Sequence, residues 1–459
     1  MRAVKARQTF ILLGDIAILY ISLVVSLFIR YGGNNFTEHF LLNVVPMSII
    51  FVLWIIVLYV NGLYDLYNIK PSQAFLRRFT ESWLISVALA VSIFYLIPFF
   101  NITPKTNLLI LSAVFAVLFL SWRFISGSVG GRGANIRILA IKPSADVLEL
   151  LGTLVNNPQL GYFVVGVVSD SNEHIPAHIT RFPSSTPIRA LVSEHNINLI
   201  TVPANTDVAF SKLYSELYEL LFWNVYTMPS ETFFESLTGR ISLNALNDSW
   251  FFENLRPNKM QLYALTHRLV DYVLATIGVL ILTIITPFIG LALRWGSPGP
   301  LFYTQERVGK NGKRFRLIKF RTMHALEKDG GAELDGAQLT TINDPRITPI
   351  GRFVRKLRID ELPQVINVLR GDMSIIGPRP ERPVFVAEFE RHMPYYTVRH
   401  LVNPGLTGWA QINYPYVETT EDQLKKFQYD LYYVKNRSLM LDFTIVLKTL
   451  HVILYGKGR

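Results

Sequence analysis

The sequence predicts a membrane protein of mixed α plus α/β class. It comprises a four-helix membrane region, a middle α/β domain, and a mainly helical C-terminal domain with its own membrane-embedded helix and a small β-hairpin. Three observations carry that prediction. Four apolar runs, each near the ~20 residues that cross a hydrocarbon core, come first. Short β-type runs alternating with helical stretches follow, and a fifth apolar run then leads into a strongly basic segment. The composition agrees: 50% of the 459 residues are hydrophobic, 17% are charged, and mean hydropathy is +0.29. A chain of this length suits about three domains.

The four runs cover residues 9–29, 40–64, 79–100 and 107–125, within a membrane region of residues 1–128. Arg2, Lys5 and Arg7 precede the first run, which reads as a retained helix because its apolar part is long and no small-residue cleavage site follows it. Positive charge sets the orientation. Lys70, Arg77 and Arg78 lie between runs two and three, and Arg123 and Arg132 close run four, whereas the opposite loops hold little beyond Arg30 and Lys105. The N-terminus and everything after the fourth helix are expected in the cytoplasm.

A Gly-rich linker at 130–134 opens the α/β domain, residues 129–232. Strands are expected at 136–141, 162–168, 199–202 and 225–228, and helices at 145–155, 187–195 and 210–221, an alternation of Rossmann-like type. The first strand runs into Lys142-Pro-Ser-Ala-Asp146 and not into a G-x-G-x-x-G turn, so the dinucleotide fingerprint is absent and a spacer or assembly role is preferred. Residues 233–262 form a connector whose Trp250, Phe251 and Phe252 suit either a core or an interface. The last domain covers 263–459.

In that domain, His267 and Arg268 lead into an apolar run, 269–293, closed by Arg294. A simple span would put the basic stretch beginning at Arg307 outside, against the positive-inside trend. Thr286-Pro287 offers a way out, because a mid-helix proline removes a backbone hydrogen bond and bends the helix. A helix-break-helix over 267–295 that enters and leaves on the cytoplasmic face is therefore expected. The apolar run 439–455 reads as an interfacial helix.

The net charge of +11 suits an anionic bilayer, a phosphorylated substrate or nucleic acid, and the absence of cysteine excludes disulfides and thiolate metal sites. Asn311-Gly312 signals a hairpin, and seven Lys or Arg fall between Arg307 and Arg321. Adjacent carboxylates, Asp360 and Glu361, sit among Arg352, Arg355, Lys356, Arg358, Arg370 and Arg379, so Asp360 is expected to stay ionised. Such an acid serves as a nucleophile or metal ligand; alternatively it caps a helix starting at Glu361, with Pro363 in the first turn. Gly377-Pro-Arg-Pro-Glu381 and the Gly/Pro-rich loop 403–413 are rigid turns suited to a preorganised polar site.

The segment from His267 to Arg459 resembles the bacterial sugar transferases, polyisoprenyl-phosphate hexose-1-phosphate transferases of monotopic type. The resemblance rests on Ser297-Pro-Gly-Pro with Gln305-Glu-Arg-Val-Gly, Lys319-Phe-Arg-Thr-Met, Asp344-Pro-Arg-Ile-Thr and Asp360-Glu-Leu-Pro-Gln. Asn367-Val-Leu-Arg-Gly-Asp-Met-Ser, Gly377-Pro-Arg-Pro-Glu, Pro404-Gly-Leu-Thr-Gly-Trp-Ala-Gln and Tyr429-Asp-Leu-Tyr-Tyr-Val-Lys-Asn complete it in order. The whole chain looks like the large members that start exopolysaccharide or O-antigen synthesis. Two departures are the missing Gly-rich turn in the middle domain and His267, which stands where a Lys often precedes Arg268.

The resemblance implies transfer of a sugar-1-phosphate from a UDP-sugar to undecaprenyl phosphate through a covalent aspartyl phosphosugar, with release of UMP. It implies Asp360 as nucleophile, Glu361 as its partner, and Mg²⁺ held by Asp360 and Glu361. Lys319, Arg379, Arg321 and Glu381 are then substrate contacts, Arg355 and Arg268 serve the lipid-phosphate side, and Pro287 is structural. A multi-pass protein of the bacterial inner membrane with a cytoplasmic catalytic domain is implied, with no nucleic-acid partner and a homodimer as a compatible assembly. A membrane-tethered NAD-dependent dehydratase or epimerase would need a Gly-rich turn and a Tyr-x-x-x-Lys pair in the middle domain, and neither is evident. A non-enzymatic scaffold or nucleic-acid binder would use the basic stretch instead.

Overall fold

The computed structural model describes residues 2–65, 72–96, 105–129, 136–170, 175–203, 211–255, 261–296, 298–324, 344–414 and 419–454. The chain divides into two compact units, Met1–Leu237 and Thr238–Arg459.

In the first unit, α1 (Arg2–Tyr31), α2 (Phe36–Val60), α3 (Gln73–Leu96) and α4 (Lys105–Val129) form the four expected helices. Each holds a stretch long and apolar enough to cross a membrane. Their packing buries Leu19, Leu23, Trp54, Phe115 and Phe119, while Phe28, Leu41, Val45, Leu109 and Val117 stay exposed, an apolar exterior that suits lipid. Indole N–H groups stitch the helices: Trp54 Nε1 donates to Ser86 O at 2.8 Å and Trp83 Nε1 to Ser112 O at 3.0 Å. Gly14 leaves room for the Trp122 ring, which a Cβ there would meet at 2.2 Å.

Arg123 corrects one expectation. It lies inside α4, fully buried, where Nη2 donates to Asp15 Oδ2 at 2.5 Å and Nη1 to Leu63 O at 2.9 Å. It therefore pairs with an acid on α1 and is not a free flanking charge. Arg77 and Arg78 likewise fall inside α3; Lys70, Arg132 and the Gly-rich linker lie outside the described residues.

The α/β part runs β1 (Ile136–Ile141), α5 (Ala145–Asn156), β2 (Tyr162–Val168), β3 (Arg181–Phe182), α6 (Ile188–His195), β4 (Leu199–Val202), α7 (Ser211–Leu220), β5 (Tyr226–Pro229) and α8 (Ser230–Thr238). The sheet is parallel with order β3-β2-β1-β4-β5, as in doubly wound folds. Strand β3 was not expected; Gly166 admits it, since a Cβ there would lie 2.5 Å from Thr180 O. The stretch read as a connector begins inside α8, where Phe233 and Phe234 are buried in this unit's core.

The second unit holds α9 (Asp248–Asn254), α10 (Gln261–Gly296), the hairpin β6 (Phe302–Val308) and β7 (Arg314–Phe320), α11 (Pro349–Lys356), α12 (Val365–Arg370), β8 (Ser374–Ile376), α13 (Pro383–His392), β9 (Gly405–Thr407), α14 (Trp409–Asn413), α15 (Thr420–Asn436) and α16 (Leu439–Leu454). The hairpin turns at Asn311 and Gly312, both at positive φ, as the Asn-Gly signal requires. Strands β8 and β9 form a second, parallel pair that the sequence did not reveal.

Where the sequence predicted a helix-break-helix, α10 is a single helix assigned without interruption through Pro287. The Thr286 hydroxyl donates to Leu282 O at 2.6 Å, an i−4 back-bond one residue before the proline. Ala275 and Leu282 before the proline and Leu293 after it are buried in one core with Leu317, Phe320, Val354 and Val365. Gly278 permits the closest approach, as a Cβ there would meet Val365 at 2.8 Å. The other face of α10, including Leu269, Val273, Leu280, Ile284, Phe288 and Leu291, is exposed.

Candidate active site

The acid pair lies on a 3-10 turn, Ile359–Gln364, between α11 and α12. Thr348 caps α11 by accepting the Gly351 N–H at 2.9 Å, and the helix ends in a sharp reversal at Arg358, whose φ of 55° is left-handed. Arg358, and not Asp360, therefore occupies the capping position, which corrects the simple cap reading. The reversal turns both acids inward: Asp360 is 6% and Glu361 7% exposed.

Three elements deliver cations to Glu361. Lys319, near the end of β7, places Nζ 3.1 Å from Oε1. Arg379, from the turn after β8, donates to the same oxygen at 2.8 Å, and Arg358 reaches Oε2 at 3.3 Å. Buried Asn367 ties the hairpin to α12, accepting the Ile318 N–H at 3.1 Å and donating to Arg316 O at 2.8 Å. That fixes the strand carrying Lys319 against the helix that follows the acids.

The two carboxyls differ electrostatically. Burial opposes charge on both, but Arg379, Lys319 and Arg358 together hold Glu361 well below the usual carboxylate range. Asp360 is pushed up to about 6 by burial and then by the Glu361 charge, against the pull of Lys319, Arg355 and Arg379. At about 6 Asp360 is still mainly ionised at neutral pH, but its charge is less favoured than the cationic neighbours alone imply, because Glu361 takes their closest contacts. Burial lowers Lys319, while Glu361 raises Arg379.

Arg379 is seated from behind. Arg399 Nη2 donates to its carbonyl at 2.9 Å and is paired with buried Asp430 at 2.8 Å. Strands β8 and β9 meet backbone to backbone at the base of the same turn: a Cβ on Gly377, Gly405 or Gly408 would lie 2.3, 2.1 or 2.0 Å from main-chain atoms. Glu381 is engaged by Lys426 at 2.7 Å and faces Arg307 at 3.7 Å. Burial works against its charge, but Lys426, Arg399 and Arg307 outweigh it and hold it at about 2. Val308 N donates to Glu381 O at 2.9 Å, so Glu381 braces the turn against the hairpin.

The remaining expected site residues are spread more widely. Arg321 is 4% exposed and donates to Pro298 O at 2.7 Å, securing the turn after α10. Arg355 is half-buried and acts on Asp360 through its charge, whereas Arg352, Lys356 and Arg370 are exposed. Arg268 is exposed on α10, donating to Tyr272 OH at 3.2 and 3.1 Å. A cleft of about 510 Å³ between the hairpin tip and α13, lined by Asn311, Val386, Glu390, Thr397 and His400, includes none of the acid pair or its cations.

Sequence reasoning missed the distinct parts of Arg358 and Asn367. Arg358 stands three residues before Glu361, a spacing that could have drawn attention. Asn367 carried no such signal, since its partners lie 49 and 51 residues away.

Among the described residues no group of three or more His, Asp or Glu converges as a metal cage. Glu361 already has both oxygens engaged, whereas Asp360 is buried with its charged form disfavoured, a state that an adjacent cation would reverse. Of the pair, Asp360 is therefore the carboxylate left to hold a divalent ion, a single protein ligand for an ion such as Mg²⁺ that takes one or two carboxylates.

Residues 262–456 match the model of a family described as "Bacterial sugar transferase". A UDP-N-acetylgalactosamine-undecaprenyl-phosphate N-acetylgalactosaminephosphotransferase of Aeromonas hydrophila is 42% identical over 224 residues, 49% of this chain and 51% of that protein. A UDP-glucose:undecaprenyl-phosphate glucose-1-phosphate transferase of Escherichia coli (strain K12) is 32% identical over 336 residues, 71% of this chain and 70% of that protein. One of the same description from Klebsiella pneumoniae is 28% identical over 455 residues, 95% of this chain and 92% of that protein.

Proposed function

The chain belongs to the bacterial sugar transferase family, and from that premise we propose that it transfers a sugar-1-phosphate from a UDP-sugar to undecaprenyl phosphate, releasing UMP, as the first step of a surface polysaccharide. The observation that carries the proposal is the buried acid pair with its cations divided unequally between the two carboxyls. Asp360, free of the close ion pairs that engage Glu361, is the nucleophile. One of its oxygens forms a bond to the sugar-bearing phosphorus as the phosphoanhydride bond breaks, and UMP leaves with that bond's electron pair. The lipid phosphate oxygen then attacks the same phosphorus and returns the Asp360 carboxylate.

Glu361 holds Lys319 and Arg379 at fixed positions, where they face the diphosphate and offset its charge at no cost of rearrangement during the reaction. A divalent ion held by Asp360 would neutralise charge on the phosphates. Arg355 and exposed Arg268 serve the lipid-phosphate side, and Glu381 acts by bracing the Arg379 turn.

The arrangement of α10 supports a monotopic placement for this unit, and the basic stretch beginning at Arg307 supports the cytoplasmic face. Residues on both sides of Pro287 pack into one core with the hairpin and α11, which a helix running away across the bilayer would not do. Exposed Phe353 beside exposed Arg352 and Lys356 on α11, with Leu439, Met440 and Phe443 on α16, offers further interfacial contact.

The test is release of UMP from a panel of UDP-sugars with undecaprenyl phosphate, with and without Mg²⁺, in wild type and Asp360→Asn. Wild-type release that the variant lacks is expected; an inert wild type, or a fully active variant, overturns the reading. Because the chain has no native cysteine, single cysteines placed before Arg268 and after Arg294 report sidedness cleanly. Both should label from the cytoplasmic side, and labelling from opposite sides would refute the monotopic placement.

A further inference from the structure

A second buried polar cluster lies apart from the acid pair, where α10, α15, α16 and β8 meet. His267 on α10 places Nδ1 2.8 Å from Asp442 Oδ2 on α16 and Nε2 2.9 Å from Ser374 Oγ on β8. Ser374 Oγ lies 3.0 Å from Asp271 Oδ1 and accepts the Ile376 N–H at 3.1 Å. Asp271 Oδ1 also accepts the Ile375 N–H at 2.9 Å. Asp442 receives two phenol hydroxyls besides, from Tyr263 at 2.8 Å and Tyr433 at 3.1 Å.

Counting protons assigns the histidine's state. A carboxylate only accepts, so His267 Nδ1 facing Asp442 must carry hydrogen. Ser374 has one hydroxyl proton, and the Asp271 carboxylate is its stronger acceptor. The Ser374 oxygen is then an acceptor toward Ile376 N and toward His267 Nε2, which must also carry hydrogen. With Asp271 ionised, a neutral imidazole would leave one of the two contacts of Ser374 Oγ, to His267 Nε2 or to the Asp271 carboxylate, without a proton in a buried site. The charged groups facing the ring are Asp271 on its own helix, Asp442 on α16 and, more weakly, Arg437 between α15 and α16. Tyr263 and Tyr433 are the other titratable neighbours.

We propose that His267 is an imidazolium that fastens α10 and α16 to strand β8, and that through β8 it acts as a positioning residue for Arg379. The strand ends at Ile376, and the Gly377-Pro-Arg379 turn follows with no flexible segment between. Gly377 is wedged against β9 and leaves no slack, so a shift of β8 reaches the Arg379 guanidinium and its contact with Glu361. The inference rests on the transferase reading, because Arg379 matters here as a phosphate contact.

The experiment compares wild type, His267→Lys and His267→Gln for UMP release across pH, with thermal unfolding in the same detergent. Lys keeps the charge and should keep most of the activity, while Gln should lower kcat on the order of tenfold, as misplacement of a contacting group does. Wild type should lose both kcat and unfolding midpoint on an alkaline limb as the imidazole gives up its proton, and His267→Lys should lack that limb in both measurements. Equal activity in Lys and Gln, or an alkaline limb unchanged in His267→Lys, overturns the proposal and leaves the transferase reading intact. An inactive wild type overturns that reading, and the role for Arg379 with it.

Discussion

The unequal charge states of Asp360 and Glu361 make a prediction with a sign. Asp360 stands at about 6 against an ordinary 3.8, so about 3 kcal/mol disfavours its charged form. Burial contributes most of that, the Glu361 charge comes next, and Lys319 pulls the other way. In Glu361→Gln the repelling charge is gone and Lys319 and Arg379 turn their charge on Asp360, so the acid limb of kcat/KM should move down by about one pH unit. In Lys319→Gln the limb should move up by a similar amount. The folded value is raised, so the active carboxylate is protonated below the limb and activity is lost as pH falls through it. The assay is UMP release at subsaturating UDP-sugar from about pH 5 to 8, the regime that reports the free enzyme. Limbs that stay fixed, or move in the same direction in both variants, would refute the reasoning even if both are slow.

Other perturbations follow from the packing. Arg123→Met strands the buried Asp15 charge in the first unit and should cost about 3–5 kcal/mol, read as a loss of folded protein, with much of it recovered in Asp15→Leu/Arg123→Met. Gly408→Ala places a Cβ 2.0 Å from Gly377 O, and the unfolding midpoint should fall with a loss of more than about 3 kcal/mol. Glu381, held at about 2 against an ordinary 4.5, contributes stability that is present at neutral pH and lost as pH falls through both values. Glu381→Gln should flatten the acid-denaturation curve over that window, and an unchanged curve would mean its pairs contribute nothing net.

The legible parts of the fold were those written in local periodicity. The apolar runs gave β1, β2 and β4 to the residue, because a buried parallel strand needs a continuous apolar stretch bounded by turns. Strand β3 escaped because Arg181–Phe182 is only two residues long and exists through the space at Gly166. At Pro287 the proline costs one hydrogen bond but the helix continues without a break, and what ties α10 to the unit is the core it shares with the hairpin, which no local signal announces. In the site, the motif located the acid pair, whereas the Asp360 charge state depended on which carboxyl the cations reach. That is set by the Arg358 reversal and by Asn367, whose bonds span about fifty residues of chain, and neither leaves a local signature.

The contact among Gly377, Gly405 and Gly408 has a consequence for how this stretch can vary. The excluding atoms are main chain and cannot swing aside as a side chain would, so the turn is mechanically stiff where Arg379 is mounted. A library randomised over 403–411 and at 377, then selected for function, should return glycine at all three positions, while half-buried Leu406 between them accepts other apolar residues. Variation in this loop is confined to side chains that face away from the seam, so the geometry beneath the guanidinium is inherited as a fixed part.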